Sequence, residues 1–408
     1  MTMFGAVHNG MSGLLAFSKG LDTISSNISN MNTPGFKSSE LQFLDVFYQS
    51  QFSAQQNGET SNSQNGSGVA TGGTTTRFNQ GELRSTGQDL DVALDGNGFF
   101  VIRKDNETLY TRAGQLSFDN EGFLVSRQNG ARIAALDESG NLQDINIENF
   151  LTMAQSPTSE VVFNGILSTG TQDINGNPIH EVTDVNVIDA LGEDRELRVE
   201  FELLDITTLE WGVEVFDDTT SLAAGTVRYQ PSGEPLDGEN TFTFTLDAED
   251  GTESEVTINM GDPGSATASS SSSFGTTSTL SVNDIDGFSA GSLVSTTINE
   301  QGVLISEYSN GESEEHAQLA VATFIQLQDL EQQSGSVFVA NDDLQPTLGY
   351  GSDEGFGVVR SRTVELSNVE LTQQFGDLII VQRGYQASSQ ILTVSNEMLQ
   401  QLIEMRGR

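Results

Sequence analysis

The sequence predicts a mainly β fold in which two antiparallel β domains are nested between N- and C-terminal α-helices. Three observations carry that prediction. Apolar residues recur every three or four positions only near the two ends of the 408-residue chain. Short alternating runs separated by Gly, Asn and Asp turn signals fill the middle. Charge follows the same division: residues 1–44 balance at zero, residues 365–408 at −2, and the other −39 of the net −41 lies between them.

The first 30 residues read as a helix with a coiled-coil-like seam of Phe4, Val7, Met11, Leu14, Ser18, Leu21, Ser25 and Ile28. Asn30-Met31-Asn32-Thr33-Pro34-Gly35 stops it, because Pro and Gly end helices. Residues 36–80 follow as a linker or a segment ordered on assembly, its stretch 53–76 rich in Gly, Ser, Asn, Gln and Thr. Residues 81–149 with 285–364 form the predicted inner β domain. Its hairpin signals are Asp95-Gly96-Asn97-Gly98 and Asp119-Asn120-Glu121-Gly122.

Residues 150–284 form the outer, inserted β domain, with alternating runs at Val182–Ile188, Leu197–Leu204, Trp211–Phe216, Phe242–Leu246 and Val256–Ile258. The serine-rich run Ser265–Thr279 is its expected flexible exit. Val303–Tyr308 and Ala317–Phe324 return to ordered β structure.

Residues 365–408 close the chain with a second helix. Ser367 and Glu370 have the spacing of a capping box. Leu371, Phe375, Leu378, Gln382, Tyr385, Ser389, Leu392, Asn396, Leu399 and Ile403 mark its seam. A helix over 368–405 is about 57 Å long and cannot bury its stripe against itself. Either the two terminal helices pair within one chain, or the seams pair between subunits with Gln382, Ser389 and Asn396 fixing register. Near-neutral ends favour the second, because close packing of many copies penalises like charge.

Composition excludes several functions. With 58 acidic against 17 basic side chains the surface repels phosphate backbones and anionic headgroups, so neither nucleic-acid binding nor membrane insertion is expected. Cys is absent, which rules out disulfides and thiolate metal sites. No cleaved secretory signal is read at the start of the chain. His8, His180 and His316 are scattered, and Asp173-Ile174-Asn175-Gly176-Asn177 lacks the spacing of a calcium loop and reads as a turn. No enzyme, cofactor or metal site is predicted.

One resemblance organises these features. Ser25-Ser26-Asn27-Ile28-Ser29-Asn30-Met31-Asn32-Thr33-Pro34-Gly35-Phe36-Lys37 resembles the N-terminal signature of bacterial flagellar rod and hook proteins. Leu90–Phe100 and Tyr110-Thr111-Arg112-Ala113-Gly114 are similar to that family's β-domain strings, and Leu366–Leu371 with Gln382-Arg383-Gly384-Tyr385-Gln386-Ala387 to its C-terminal helix. The large insert near 150–284 points to the hook branch, with the distal rod as the alternative. An acidic surface-layer protein or adhesin would explain the charge but not the helical ends.

The resemblance implies a subunit exported unfolded by the flagellar type III apparatus and polymerised outside the cell. The product is a curved, flexible tube that transmits torque between rod and filament. Its implied partners are copies of itself, the rod, the hook cap and the hook–filament junction proteins. Residues 1–35 and 365–408 would be disordered in the monomer and form the inner tube on assembly. Asn30, Asn32, Gly35 and Phe36 would set the turn out of the first helix. Leu371, Phe375, Leu378, Tyr385, Leu392, Leu399 and Ile403 would form the buried seam, with Gln382 and Arg383 bonding between subunits.

Overall fold

The structure, a computed structural model, describes residues 3–46, 48–53, 61–66, 68–105, 107–137, 139–170, 179–248, 250–263, 270–341 and 344–406. The fold is mainly β, with α1 (Met3–Ser29) and α2 (Leu371–Arg406) at its ends. It divides into two compact units. The first holds Met1–Glu148, Thr296–Ile305 and Glu315–Arg408, the second Asn149–Ser295 and Ser306–Glu314.

In the first unit α1 and α2 pair antiparallel, and the strands Ser39–Asp45 and Val69–Thr76 pair beside α1. The strands Tyr48–Ser53 and Ser61–Gly66, inside the predicted linker, also pair antiparallel. The body of the unit is a ten-stranded sheet whose central strand, Phe99–Lys104, pairs with Glu107–Thr111, Arg132–Leu136 and Ala320–Thr323. Its core is aromatic. Phe99 meets Phe78, Phe324 and Phe338 at 5.4–6.0 Å between ring centres, and Tyr110 meets Phe324 at 4.8 Å.

The second unit is a two-sheet sandwich. One sheet runs Ile179–Ile188, Asp194–Asp205, Glu210–Asp217 and Thr220–Arg228, all antiparallel. Period-two alternation points Leu197, Val199 and Phe201 inward and the charged residues between them outward. The other sheet pairs Glu160–Ile166 with Glu253–Asn259 in parallel, so this domain is not wholly antiparallel as predicted. Trp211, Phe163 and Phe201 are fully buried between the sheets.

Four local expectations are corrected. Asp95–Gly98 does not close a hairpin: Val92–Asp95 pairs with Val358–Ser361, and Phe99–Lys104 belongs to the ten-stranded sheet. Two glycines at φ +110° and +121°, Gly96 and Gly98, make that turn a passage from one sheet to another. Asp119–Gly122 does close a hairpin, between Leu116–Phe118 and Leu124–Ser126. Four serines of the serine-rich run are core rather than part of a flexible exit, while 274–279 lie exposed or half-buried at the surface. Ser270–Ser273 are buried; Ser273 Oγ accepts from Trp211 Nε1 at 3.0 Å, and Ser271 Oγ lies 2.8 Å from the Tyr229 hydroxyl. Residues 264–269 of that run, and Asp173–Asn177, lie outside the described residues.

No capping box forms at Ser367. Its Oγ accepts from Val369 N at 3.4 Å and α2 starts later, at Leu371. Finally, the terminal segments are not left without a partner in the single chain, because each helix packs on the other.

Candidate assembly surface

Two features of the first unit concern assembly: the joint where the chain's ends meet the β body, and the helix pair beyond it.

The joint is built around Glu365. Its Oε1 takes hydrogen bonds from Lys37 Nζ at 2.6 Å and Gly81 N at 2.8 Å, and its Oε2 from Arg112 Nη1 at 3.2 Å. Lys37 also donates to the Asn79 carbonyl at 2.9 Å, and Arg112 to those of Leu94 and Gly96. Arg112 further stacks its guanidinium 5.3 Å from the Phe99 ring centre. All three charged groups are buried. Burial lowers the pKa of the Lys37 ammonium and of the Arg112 guanidinium, and the Glu365 carboxylate opposes that shift in both. Removing the carboxylate would leave two buried cations without their counter-charge.

The turn out of α1 feeds this joint. Asn30 donates Nδ2 to the Ser26 carbonyl at 3.0 Å and takes Thr33 Oγ1 at 3.3 Å, while Asn32 is exposed. Gly35 has φ +69°, its N donates to the Glu365 carbonyl at 2.8 Å, and an added Cβ would lie 2.5 Å from Ala113 N. Only glycine fits there. Phe36 is buried behind it. Three sequence strings that are far apart in the chain, those holding Lys37, Arg112 and Glu365, therefore meet at one carboxylate.

Beyond the joint, α1 and α2 meet through small residues. Asn27 opens the contact: its Nδ2 donates to the Ser39 carbonyl at 2.8 Å and to Gln374 Oε1 at 3.0 Å, and its Oδ1 accepts from Ser39 N. Gly20 then faces Val381, Phe17 faces Gly384, Gly13 faces Ser388 and Gly10 faces Leu392. A Cβ on Gly384 would sit 2.5 Å from the Phe17 ring, so the helices approach too closely for larger residues. The line buried on α2 is Gln374, Val381, Ser388 and Ser395.

The observed contact keeps the seven-residue period of the predicted seams but is rotated by one residue on each helix. On α1, Val7, Leu14, Leu21 and Ile28 are half-buried beside the contact and Met11 is exposed; Phe4 belongs to α1, but its side chain lies outside the described residues. On α2, Leu378, Leu392 and Leu399 flank the contact, while Leu371, Phe375, Gln382, Arg383, Tyr385 and Ile403 are exposed. The physical reason is that small side chains let helices approach closely. The large apolar ones then stand outside the contact, and α2 also exposes Ile379, Ile380, Ile391, Val394, Met398, Leu402 and Met405. Contiguous exposed apolar faces of this kind are uncommon on monomeric proteins and are typical of interaction surfaces. Asn27, Lys37 and Arg112 lie within the family-like strings of the sequence but were given no role there, and Glu365 and Gln374 were not singled out at all.

Comparison with known proteins agrees with these features. Residues 8–37 match the family described as Flagella basal body rod protein, residues 93–167 the Flagellar hook protein FlgE/F/G D1 domain, and residues 360–405 the Flagellar basal body rod FlgEFG protein C-terminal. The chain is 28% identical over 464 residues to flagellar hook protein FlgE of Treponema pallidum, covering 99% of this chain and 100% of that protein. To FlgE of Escherichia coli it is 27% identical over 421 residues, covering 98% and 100%. The crystal structure of Helicobacter pylori flagellar hook protein FlgE2 covers 69% of this chain and 100% of its own, with TM-score 0.53 and 15% identity, a likeness of fold. Hook proteins match along their whole length, insert included, which sets aside the distal-rod and surface-layer alternatives. The chain belongs to the bacterial flagellar hook protein family.

Proposed function

We propose that the outward apolar face of the α1–α2 pair is the assembly surface by which copies of this hook subunit build a curved, flexible tube. The observation that carries the reading is the division of labour on α2. Gln374, Ser388 and Ser395 pack toward α1 together with Val381 and Leu392, and the other large apolar residues, Phe375, Ile379, Ile380, Ile391, Val394 and Met398 among them, are left exposed. A helix with two such faces completes its burial only against further copies.

In this reading residues 1–35 with 365–408 form the inner assembly domain. Residues 36–80 connect it outward, residues 81–149 with 285–364 form the inner β domain, and residues 150–284 the outer one. The Glu365 joint is the connection through which load on the β domains reaches the helices. Export by the type III apparatus, an extracellular location, and contacts with rod, cap and junction proteins belong to the same proposal and rest on family membership.

A double variant, Phe375→Asp with Val394→Asp, tests it. Both residues are about half exposed, so chain stability changes by less than about 0.5 kcal/mol. Helix content by circular dichroism stays as in the parent, and electron microscopy shows no tubes. Normal tubes from this variant would remove the assembly face from α2.

A further inference from the structure

Eight Asn-Gly dipeptides occur in the chain. Asparagine before glycine is the pair most open to loss of the side-chain amide, because no Cβ on the second residue shields its nitrogen from the asparagine Cγ. The fold must supply two things: a side-chain amide free to turn, and a following backbone N–H that no carbonyl holds. The side chains of Asn57, Asn65 and Asn175 lie outside the described residues, which leaves five to compare.

Four of the five are held. Asn9 lies within α1, where the helical ladder takes the Gly10 N–H. Asn129 Oδ1 accepts from Ala131 N at 2.9 Å, and Gly130 N donates to the Ser126 carbonyl at 2.8 Å. Asn164, in the strand Glu160–Ile166, donates Nδ2 to Asn283 Oδ1 at 2.9 Å and accepts from Ser281 Oγ at 3.3 Å. Asn310 donates Nδ2 to the Ser289 carbonyl at 2.8 Å and accepts from Glu312 N at 3.1 Å, while Gly311 N donates to the Tyr308 carbonyl at 3.0 Å.

Asn97 is the exception. It is exposed in the passage between sheets, and among the described residues neither its side-chain amide nor the Gly98 N–H makes a hydrogen bond. The adjoining Asp95-Gly96 pair is not equivalent: Asp95 is ion-paired with Arg360 at 3.2 Å, and Gly96 N donates to Gln80 Oε1 at 3.2 Å.

We propose that Asn97 is a site of spontaneous deamidation in the folded chain. The Gly98 nitrogen attacks Asn97 Cγ and a cyclic imide closes. Ammonia leaves, made of the side-chain NH2 and the proton of the Gly98 N–H. Water then opens the ring. Addition at Cγ gives an aspartyl residue; addition at the backbone carbonyl carbon gives an isoaspartyl residue, whose main chain runs through the former side chain. Either product adds a carboxylate two residues from Asp95. The isoaspartyl form also takes the Asn97 carbonyl out of the peptide link, and that carbonyl accepts from Gly357 N at 2.7 Å. The preceding carbonyl, of Gly96, takes Arg112 Nη2 at 2.7 Å, so a changed backbone at 97 bears on the Glu365 joint.

Mass spectrometry of peptides from the full chain, stored folded at mildly alkaline pH, reads the step as a gain of about 1 Da, an amino group exchanged for a hydroxyl. The Asn97 peptide is expected to convert while those of Asn129 and Asn310 keep the parent mass. In urea, where the bonds at 129 and 310 are lost, all three are expected to convert together. Conversion of Asn129 or Asn310 as fast as Asn97 in the folded chain would overturn the proposal. So would an Asn97 that stays unconverted when folded although the urea sample reacts. Asn97→Gln lengthens the side chain and disfavours the ring, so the mass gain at 97 should vanish and the other two peptides should behave as in the parent. A gain that persists in that peptide would place the reaction on another residue and remove the assignment.

Discussion

The sandwich of the second unit and the helix pair of the first use apolar residues in opposite ways. In the sandwich the large side chains, Trp211, Phe163 and Phe201 among them, fill the space between two sheets, and the charged residues lie outside. In the helix pair Gly, Ser and Gln occupy much of the contact, where Phe17, Val381 and Leu392 close on glycines, and most of the large apolar residues of α2 stand outside it. The first arrangement makes a fold that is complete in one chain. The second makes one that is complete only when chains meet. Two reporters separate them: the single Trp211 lies in the sandwich core, and both helices belong to the first unit.

The largest expected effect on stability is in the sandwich. Phe201→Ala removes a fully buried ring that packs edge-on against Phe163 at 5.6 Å, and should cost about 3–5 kcal/mol. Urea unfolding followed by Trp211 fluorescence reads that loss, while the helix signal holds to its parent midpoint. A shift of both signals together would mean that the two units unfold as one. Glu365→Ala is the counterpart in the first unit. It strands Lys37 and Arg112 as buried cations and should cost about 3–5 kcal/mol, this time in the helix signal. Gly13→Leu is smaller. A Cβ there already lies 2.7 Å from Ser388 Oγ, so the helices must separate, at about 1–3 kcal/mol. If Gly13→Leu left the helix signal unchanged, the close seam would not be what holds the pair.

How much of this was legible in the sequence follows from the same contrast. The sandwich strands were readable because alternation of large apolar with charged residues, as in Leu197–Phe201, reports burial directly. The helices and their seven-residue period were readable too, but the face was displaced by one residue, because size was taken as the signal of contact. Gly13, Gly20, Ser388 and Ser395 carry no hydropathy, and only the close approach of two backbones shows why they are inside. The Glu365 joint was hidden for another reason. Its members lie 253 and 328 positions from their partners, and no local pattern links a carboxylate to cations at such distances. The Asp95–Gly98 turn misled because its residues encode positive φ, which fits a hairpin and a passage between sheets equally well.

The smallest predicted effect concerns acid. In the second unit Asp286 accepts hydrogen bonds from Ser159 N at 2.8 Å, from Glu160 N at 2.9 Å and from Ser159 Oγ. Desolvation pushes its pKa upward, but these bonds together outweigh it and hold the carboxyl below its ordinary value. A carboxylate with a lower pKa folded than unfolded binds fewer protons in the native state. It therefore adds stability above about pH 4, which is lost as pH falls through the folded value. Asp286→Asn should lower the Trp211 unfolding midpoint slightly at neutral pH and flatten its decline below about pH 4. The helix signal, which belongs to the other unit, should keep the parent's pH profile. If the profile of the helices moved and that of the sandwich did not, the assignment of separate stabilities to the two units would have to be given up.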